Sequence, residues 1–233
     1  KLEEQLKLLL SLIKHAKYSA QTHIPSETPK EIIAQAEKLG TIYTVDNPMG
    51  EIISTDEQTA ILLTYYRNNI LHVFITPALI ASSFLNQQSM TQEELVKNLS
   101  QLFPFLKKEL FIHWNQSQFH QYILDNVDVL IEKKILTRVE NKLTRVDESQ
   151  AGFEQLLTLA QVARPTLLRY GIILTLLSTQ AGRGNISRQT LENRSQQLAQ
   201  RIAALYSLNA PEAFDKNLFR NMVGVLRDND FIK

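Results

Sequence analysis

The sequence predicts a mostly α fold, a helical bundle carrying two small β-hairpins and one or more winged-helix-like units. Three observations predict it. Apolar residues recur at helical spacing over most of the 233 residues. Two short stretches, Thr41 to Ser54 and Ile135 to Val146, are β-rich runs around turn-forming or polar tips. The order leading up to the second hairpin is helix, helix, helix, hairpin, which is that of a winged helix.

The elements follow from local signals. Leu2, Leu6, Leu9, Leu10 and Ile13 place an amphipathic helix over Leu2 to Tyr18. Thr28-Pro29-Lys30-Glu31 reads as an N-cap, a proline at the first helical position and an acidic first turn, and Gly40 stops that helix. Asn47-Pro48-Met49-Gly50 turns the first hairpin, after which Thr55 or Asp56 caps a long apolar helix. Pro77 is expected to kink or split that helix, because proline lacks the backbone donor and crowds the preceding turn. The capping box Thr91-Gln92-Glu93-Glu94 opens a helix over the Ser89–Glu93 region. It is expected to end near Phe103-Pro104, with a short helix to Phe111. Ser117 caps the next helix, which runs to Ile131. Helices over about Phe153 to Ala163, Thr166 to Leu177, Ser187 to Tyr206 and Asp215 to Leu226 fill the remainder. Leu130 to Leu136 and Leu226 to Ile232 echo each other as helix end, charged turn and strand start. The second half, 151–233, is therefore expected to begin a second, truncated winged-helix-like unit after a first region over 1–150.

Composition excludes several function classes. With 25 basic and 24 acidic residues the net charge is +1, which argues against charge-driven nucleic-acid binding. The absence of cysteine removes disulfides, thiol catalysis and Cys-ligated zinc. His15, His23 and His113 have no companions at ligand spacing, so neither a metal nor a cofactor is predicted. The apolar run from Ile70, about sixteen residues, is shorter than the roughly 20 that cross a bilayer, so it reads as a buried or interfacial helix. Lys1 in first place and the apolar Phe231-Ile232-Lys233 suggest part of a longer protein.

One polar block interrupts the apolar helix: Tyr65, Tyr66, Arg67, Asn68, Asn69 and His72. Successive helical residues point about 100° apart, so these are expected to be partly buried and to need partners. Arg67 suits an anionic group, with Asn68 and His72 hydrogen-bonding beside it. The alternatives are that the block ties this helix to neighbouring helices, to a neighbouring domain or to the headgroup layer of a membrane, a membrane surface being an expected partner.

Other motifs are weaker. His120 and Asp125 form a literal H-x-x-x-x-D, but positions five apart on a helix diverge by roughly 140°. Gly182-Arg183-Gly184 lacks the strand and the Lys-Ser/Thr ending of a phosphate loop. The would-be recognition helix, Ser117 to Ile131, has no Lys or Arg, and the hairpin offers only Arg138, Lys142 and Arg145, so no nucleic-acid partner is expected.

Four stretches carry a resemblance: Gly50 to His72 with its TYYRNNILH core, Phe103 to Trp114, Ser187 to Lys216 with NAPEAFDK, and Leu226 to Ile232. In this order they resemble the C-terminal region of the bacterial membrane-bound glycerol-3-phosphate acyltransferases over nearly the whole chain. The resemblance implies transfer of a fatty acyl group from acyl-CoA or acyl carrier protein to sn-glycerol 3-phosphate, on the cytoplasmic face of the inner membrane. It also implies a catalytic domain preceding this region, so no catalytic residue is carried over to this chain, and His120 and Asp125 fall in a different segment from the family's H-x-x-x-x-D. A free-standing winged-helix-like binding module is the competing reading.

Overall fold

The computed structural model describes residues 1–48, 50–180, 186–205 and 215–232. Among them, eight helices and two small antiparallel sheets make a mostly α architecture. The helices are α1 (Leu2–His15), α2 (Pro29–Lys38), α3 (Glu57–Asn86), α4 (Gln92–Leu110), α5 (Gln116–Glu132), α6 (Ala151–Gln180), α7 (Arg188–Leu205) and α8 (Lys216–Asp228). The strands are β1 (Tyr43–Val45), β2 (Ile52–Ser54), β3 (Ser89–Thr91), β4 (Leu136–Val139) and β5 (Lys142–Arg145). The predicted glycine-flanked loop Gly182-Arg183-Gly184 and most of NAPEAFDK lie outside the described residues.

Side-chain caps start the helices where the sequence placed them. Thr28 and Glu31 close a reciprocal capping box on α2, and Thr91 and Glu94 do the same on α4. Asp56 caps α3 by accepting from the Thr59 N–H at 3.0 Å. On α5 the cap is Asn115, in a box with Gln118, two residues before the expected Ser117.

Three prolines do not divide their helices. Pro77 lies inside the 30-residue α3, Pro104 inside α4 and Pro165 inside the 30-residue α6, so the expected breaks at Pro77, Pro104 and between Ala163 and Thr166 are replaced by continuous helices. At Pro77 the reason is visible. Proline leaves the carbonyl four residues back, that of Val73, without its helical donor. The Tyr122 hydroxyl of α5 donates to that carbonyl at 3.0 Å. The interruption is thereby satisfied from outside the helix.

The core lies along α3 and α6. From Phe74 to Ala81, and again at Phe84, α3 is buried. Ala78, Ala81 and Ser82 keep its packing face small, and Ser82 Oγ reaches the Ala160 carbonyl of α6 at 3.4 Å. This is the most extensive helix–helix contact among the described residues. By length and composition α3 could cross a membrane, but its apolar half is core.

β3, α4, α5, β4 and β5 form a winged helix with sheet order β3-β5-β4. The second predicted hairpin is thus one part of a three-stranded sheet. Ser89–Thr91, expected at the start of a helix, is its third strand, with Met90 opposite Leu143. The β1–β2 hairpin stands apart from this sheet.

A buried ion pair locks α6 to α4. Arg169 bonds Glu109, the two side chains being 3% and 8% exposed, and the Tyr170 hydroxyl donates to the other Glu109 oxygen at 2.9 Å. Burial and the neighbouring carboxylate hold the Tyr170 pKa well above its ordinary value. Replacing Glu109 by Gln leaves a buried guanidinium without its anion and should lower stability by about 3–5 kcal/mol, read from urea unfolding. A loss under 1 kcal/mol would show that the pair is not structurally important.

Candidate functional site

The polar block sits where α3 passes from solvent into the core. Tyr65 and Tyr66 are 63% and 55% exposed, their rings meeting edge to face at 5.8 Å. Asn69 is exposed, while Arg67, Asn68 and His72 are half-buried. None of the six is fully buried. Partial burial is found for these three, which lie with Leu63, Thr64 and Leu71 on the half-buried face of α3, while Tyr65, Tyr66 and Asn69 lie on its exposed face. The Arg67 guanidinium reaches Asn68 Oδ1 at 3.4 Å. Along the block the contacts include this neighbouring pair, the edge-to-face tyrosines and a bond between His72 and the Asn69 backbone.

His72 faces inward and meets a cluster invisible in the sequence. The Tyr18 ring, beyond the end of α1, contacts the rings of His72 at 4.6 Å, His113 at 5.0 Å and Trp114 at 4.5 Å. Trp114 stacks on Tyr122 at 4.2 Å, and Lys107 holds the Trp114 carbonyl at 2.7 Å. Segments far apart in sequence thus converge on one spot, and single aromatic residues outside any periodic pattern carry no signal that would have predicted it. Burial lowers the His72 pKa, a bond to the Asn69 carbonyl works against this, and the nearby His113 adds to the lowering. Burial pushes the Tyr122 pKa up to about 12.

Exposed apolar side chains also cluster in sequence around the block. Of 18 large hydrophobic side chains exposed among the described residues, ten lie between Leu39 and Ile70. They include Tyr43, Val45, Ile52 and Ile53 on the β1–β2 hairpin and Ile61, Leu62 and Ile70 on α3. The same residues, 39–70, hold four acidic side chains and one basic one.

The remaining candidates resolve into structure. His120 Nε2 lies 2.7 Å from Ser100 Oγ on α4, beside a groove that Val96 and Leu124 help to line, while Asp125 accepts from Gln121 at 2.8 Å. The Ser100 hydroxyl also lies 2.6 Å from the Val96 carbonyl, and among the described residues no carboxylate bonds to His120, so the pair has no third member. On the wing, Arg138 pairs with Asp128 at 2.9 Å and Arg145 with Glu148 at 2.8 Å. Two of the three wing cations are therefore engaged internally. Among the described residues no cluster of three or more His, Asp or Glu could hold a metal ion.

Comparison with known proteins matches the chain to a family and to similar individual proteins. A family model described as the glycerol-3-phosphate acyltransferase C-terminal region matches residues 1–233. A glycerol-3-phosphate acyltransferase from Histophilus somni (strain 129Pt) is 38% identical over 232 residues, which is 98% of this chain and 28% of that relative. The chain therefore spans less than a third of the length of this curated relative.

Two outcomes test the cluster. Tyr122→Phe removes the donor to the Val73 carbonyl, a part-buried bond, which should cost about 0.5–1.5 kcal/mol in urea unfolding at neutral pH. Tyr122 is neutral in the folded state up to about pH 12 and in the unfolded state only up to about 10. Its contribution is therefore intact below pH 10 and lost as pH rises from 10 to 12, and the phenylalanine variant should show a flatter alkaline limb. His72 has the opposite sense. Its lowered pKa means that the unfolded chain takes up the proton first, so stability is present above about pH 6.5 and falls as the solution is acidified below it. His72→Gln should reduce that loss; an unchanged acid limb would remove His72 from the account.

Proposed function

Because the chain belongs to the family of glycerol-3-phosphate acyltransferase C-terminal regions, we propose that it is the non-catalytic C-terminal portion of such an enzyme. The whole enzyme would transfer a fatty acyl group from acyl-CoA or acyl carrier protein to sn-glycerol 3-phosphate, giving lysophosphatidic acid for phospholipid synthesis at the cytoplasmic face of the inner membrane. In this reading glycerol 3-phosphate and the acyl donor are bound by the preceding catalytic domain. Residues 1–150 are read as a helical region with hairpins and a winged-helix-like unit, and residues 151–233 as a C-terminal helical region that begins a second winged-helix-like unit.

The observation that carries the reading is the family match over residues 1–233. His120 and Asp125 engage Ser100 and Gln121 instead of each other. The exposed stretch Leu39 to Ile70 supplies the function that remains, which is docking onto the catalytic domain through the β1–β2 hairpin, Tyr65, Tyr66 and Arg67. Its acidic excess disfavours an anionic lipid surface as the partner, since cations are what such headgroups attract. Membrane association is accordingly assigned to the enzyme as a whole. The competing nucleic-acid module is disfavoured by an α5 without Lys or Arg and by the internal pairing of Arg138 and Arg145.

The test is acyl transfer with labelled glycerol 3-phosphate and an acyl thioester. Residues 1–233 alone should be inactive and the longer enzyme active; turnover by 1–233 would overturn the reading. In the longer enzyme, Arg67→Ala should reduce activity or thermal stability, and wild-type values for both would remove the polar block from the docking surface.

A further inference from the structure

Phe111 is the most exposed large apolar residue among the described residues, at 86%. It is also the C-cap of α4 and lies in the left-handed region, with φ of 54°. The other non-glycine residues at positive φ among the described residues are Lys134, Glu140 and Asp230, all polar. A bulky side chain in this conformation crowds its own backbone, and helix ends of this kind normally carry glycine or asparagine. The turn has a plain structural use, because it leads into Ile112 and Trp114, which are buried in the core. That use accounts for the backbone and not for the side chain. An aromatic ring strained at its root and exposed at its tip gains nothing from this fold.

The surroundings of the ring are basic. Lys107 and Lys108 lie in the preceding turn and are exposed. Lys107 donates to the Trp114 carbonyl at 2.7 Å and keeps its charge, while Lys108 pairs with no carboxylate among the described residues. Glu109, the one acidic residue between Gln101 and Asn115, is buried on Arg169. A groove of about 520 Å³ beside the ring lies between Pro104 of α4 and Val225 of α8. The acidic residue lining it, Asp228, is held by Arg227 at 3.2 Å. The net charge exposed around Phe111 is therefore positive.

This composition separates two kinds of partner. A folded protein needs a continuous apolar centre with a polar rim. From Asn86 to Arg138 no other large apolar side chain is exposed among the described residues, so Phe111 stands alone there. A lipid surface needs no matching shape. One aromatic can enter the boundary between headgroups and chains while lysines stay with the anionic headgroups. Residues 39–70 have the reverse composition, many exposed apolar side chains with an acidic excess.

We propose that Phe111, Lys107 and Lys108 form a membrane contact of this chain, with the ring inserted at the surface of a bilayer rich in anionic lipid. The left-handed turn holds the ring clear of the protein before contact, so little ordering cost is added on binding. The proposal concerns which surface meets lipid and does not rest on the acyltransferase reading.

The chain has no cysteine, so Phe111→Cys gives a single attachment point for an aromatic, environment-sensitive fluorophore that stands in for the ring. Vesicles of equal parts phosphatidylglycerol and phosphatidylcholine should shift its emission to the blue. Vesicles of phosphatidylcholine alone should not, and molar salt should reverse the shift. The same fluorophore at Gln58, in the acidic stretch, should stay unshifted. Lys108→Gln should weaken binding to the anionic vesicles about fivefold, the share of one lysine at such a surface. Phe111→Asn should weaken it at least as much while leaving stability to urea equal or higher, because asparagine suits the turn. Lost stability in Phe111→Asn would make the ring structural and overturn the proposal. So would an absent or salt-insensitive shift at position 111, or an equal shift at Gln58. In the longer enzyme, emission already blue before vesicles are added would place Phe111 against protein and overturn it too.

Discussion

One backbone carbonyl, that of Val73, governs much of this molecule. Pro77 denies it a helical donor, and an unmet carbonyl at the edge of a core is costly enough to bend or break a helix. The Tyr122 hydroxyl meets it, at the cost of committing α5 to one position against α3. Trp114 packs on Tyr122, Tyr18 packs on Trp114, and His72 closes the group one residue before the carbonyl itself. The winged helix is thereby fixed to the central helix at the level where that helix leaves the core.

Below that level the structure is conventional packing. Small residues at Ala78, Ala81, Ala160 and Ala163 let α3 and α6 approach closely, and the Arg169–Glu109 pair fixes α4 across the same seam. Above it, α3 carries an apolar surface that nothing among the described residues covers. The division of one helix into a core half and an exposed half is what a region requires if it is stable in itself and also binds a larger partner.

Much of this was legible in the residues. Thr28, Asp56 and Thr91 placed helix starts because a capping side chain acts on backbone groups within three residues, a range that sequence reports directly. The wing hairpin was legible for the same reason. Pro77, Pro104 and Pro165 were misread because the local penalty of proline is visible in sequence whereas the remote group that offsets it, such as Tyr122, is not. The strand at Ser89–Thr91 was missed because three residues show no periodicity and a strong helix cap begins at the third. In the site, the block Tyr65 to His72 stood out as polar sequence in an apolar setting, yet its burial was overestimated, since amphipathic periodicity assumes a helix lying on a surface along its whole length. The aromatic cluster arises only from tertiary convergence.

The exposed half of α3 has a mechanical consequence. At about 1.5 Å per residue its 30 residues make a rod of about 45 Å, buried at one end and exposed along one face at the other. With the proline site bolted by Tyr122, the rod has no soft joint at which to flex. A partner gripping the hairpin end meets a surface already ordered, so little conformational entropy is lost on contact. A displacement at that end is carried as a rigid tilt into the α3–α6 seam.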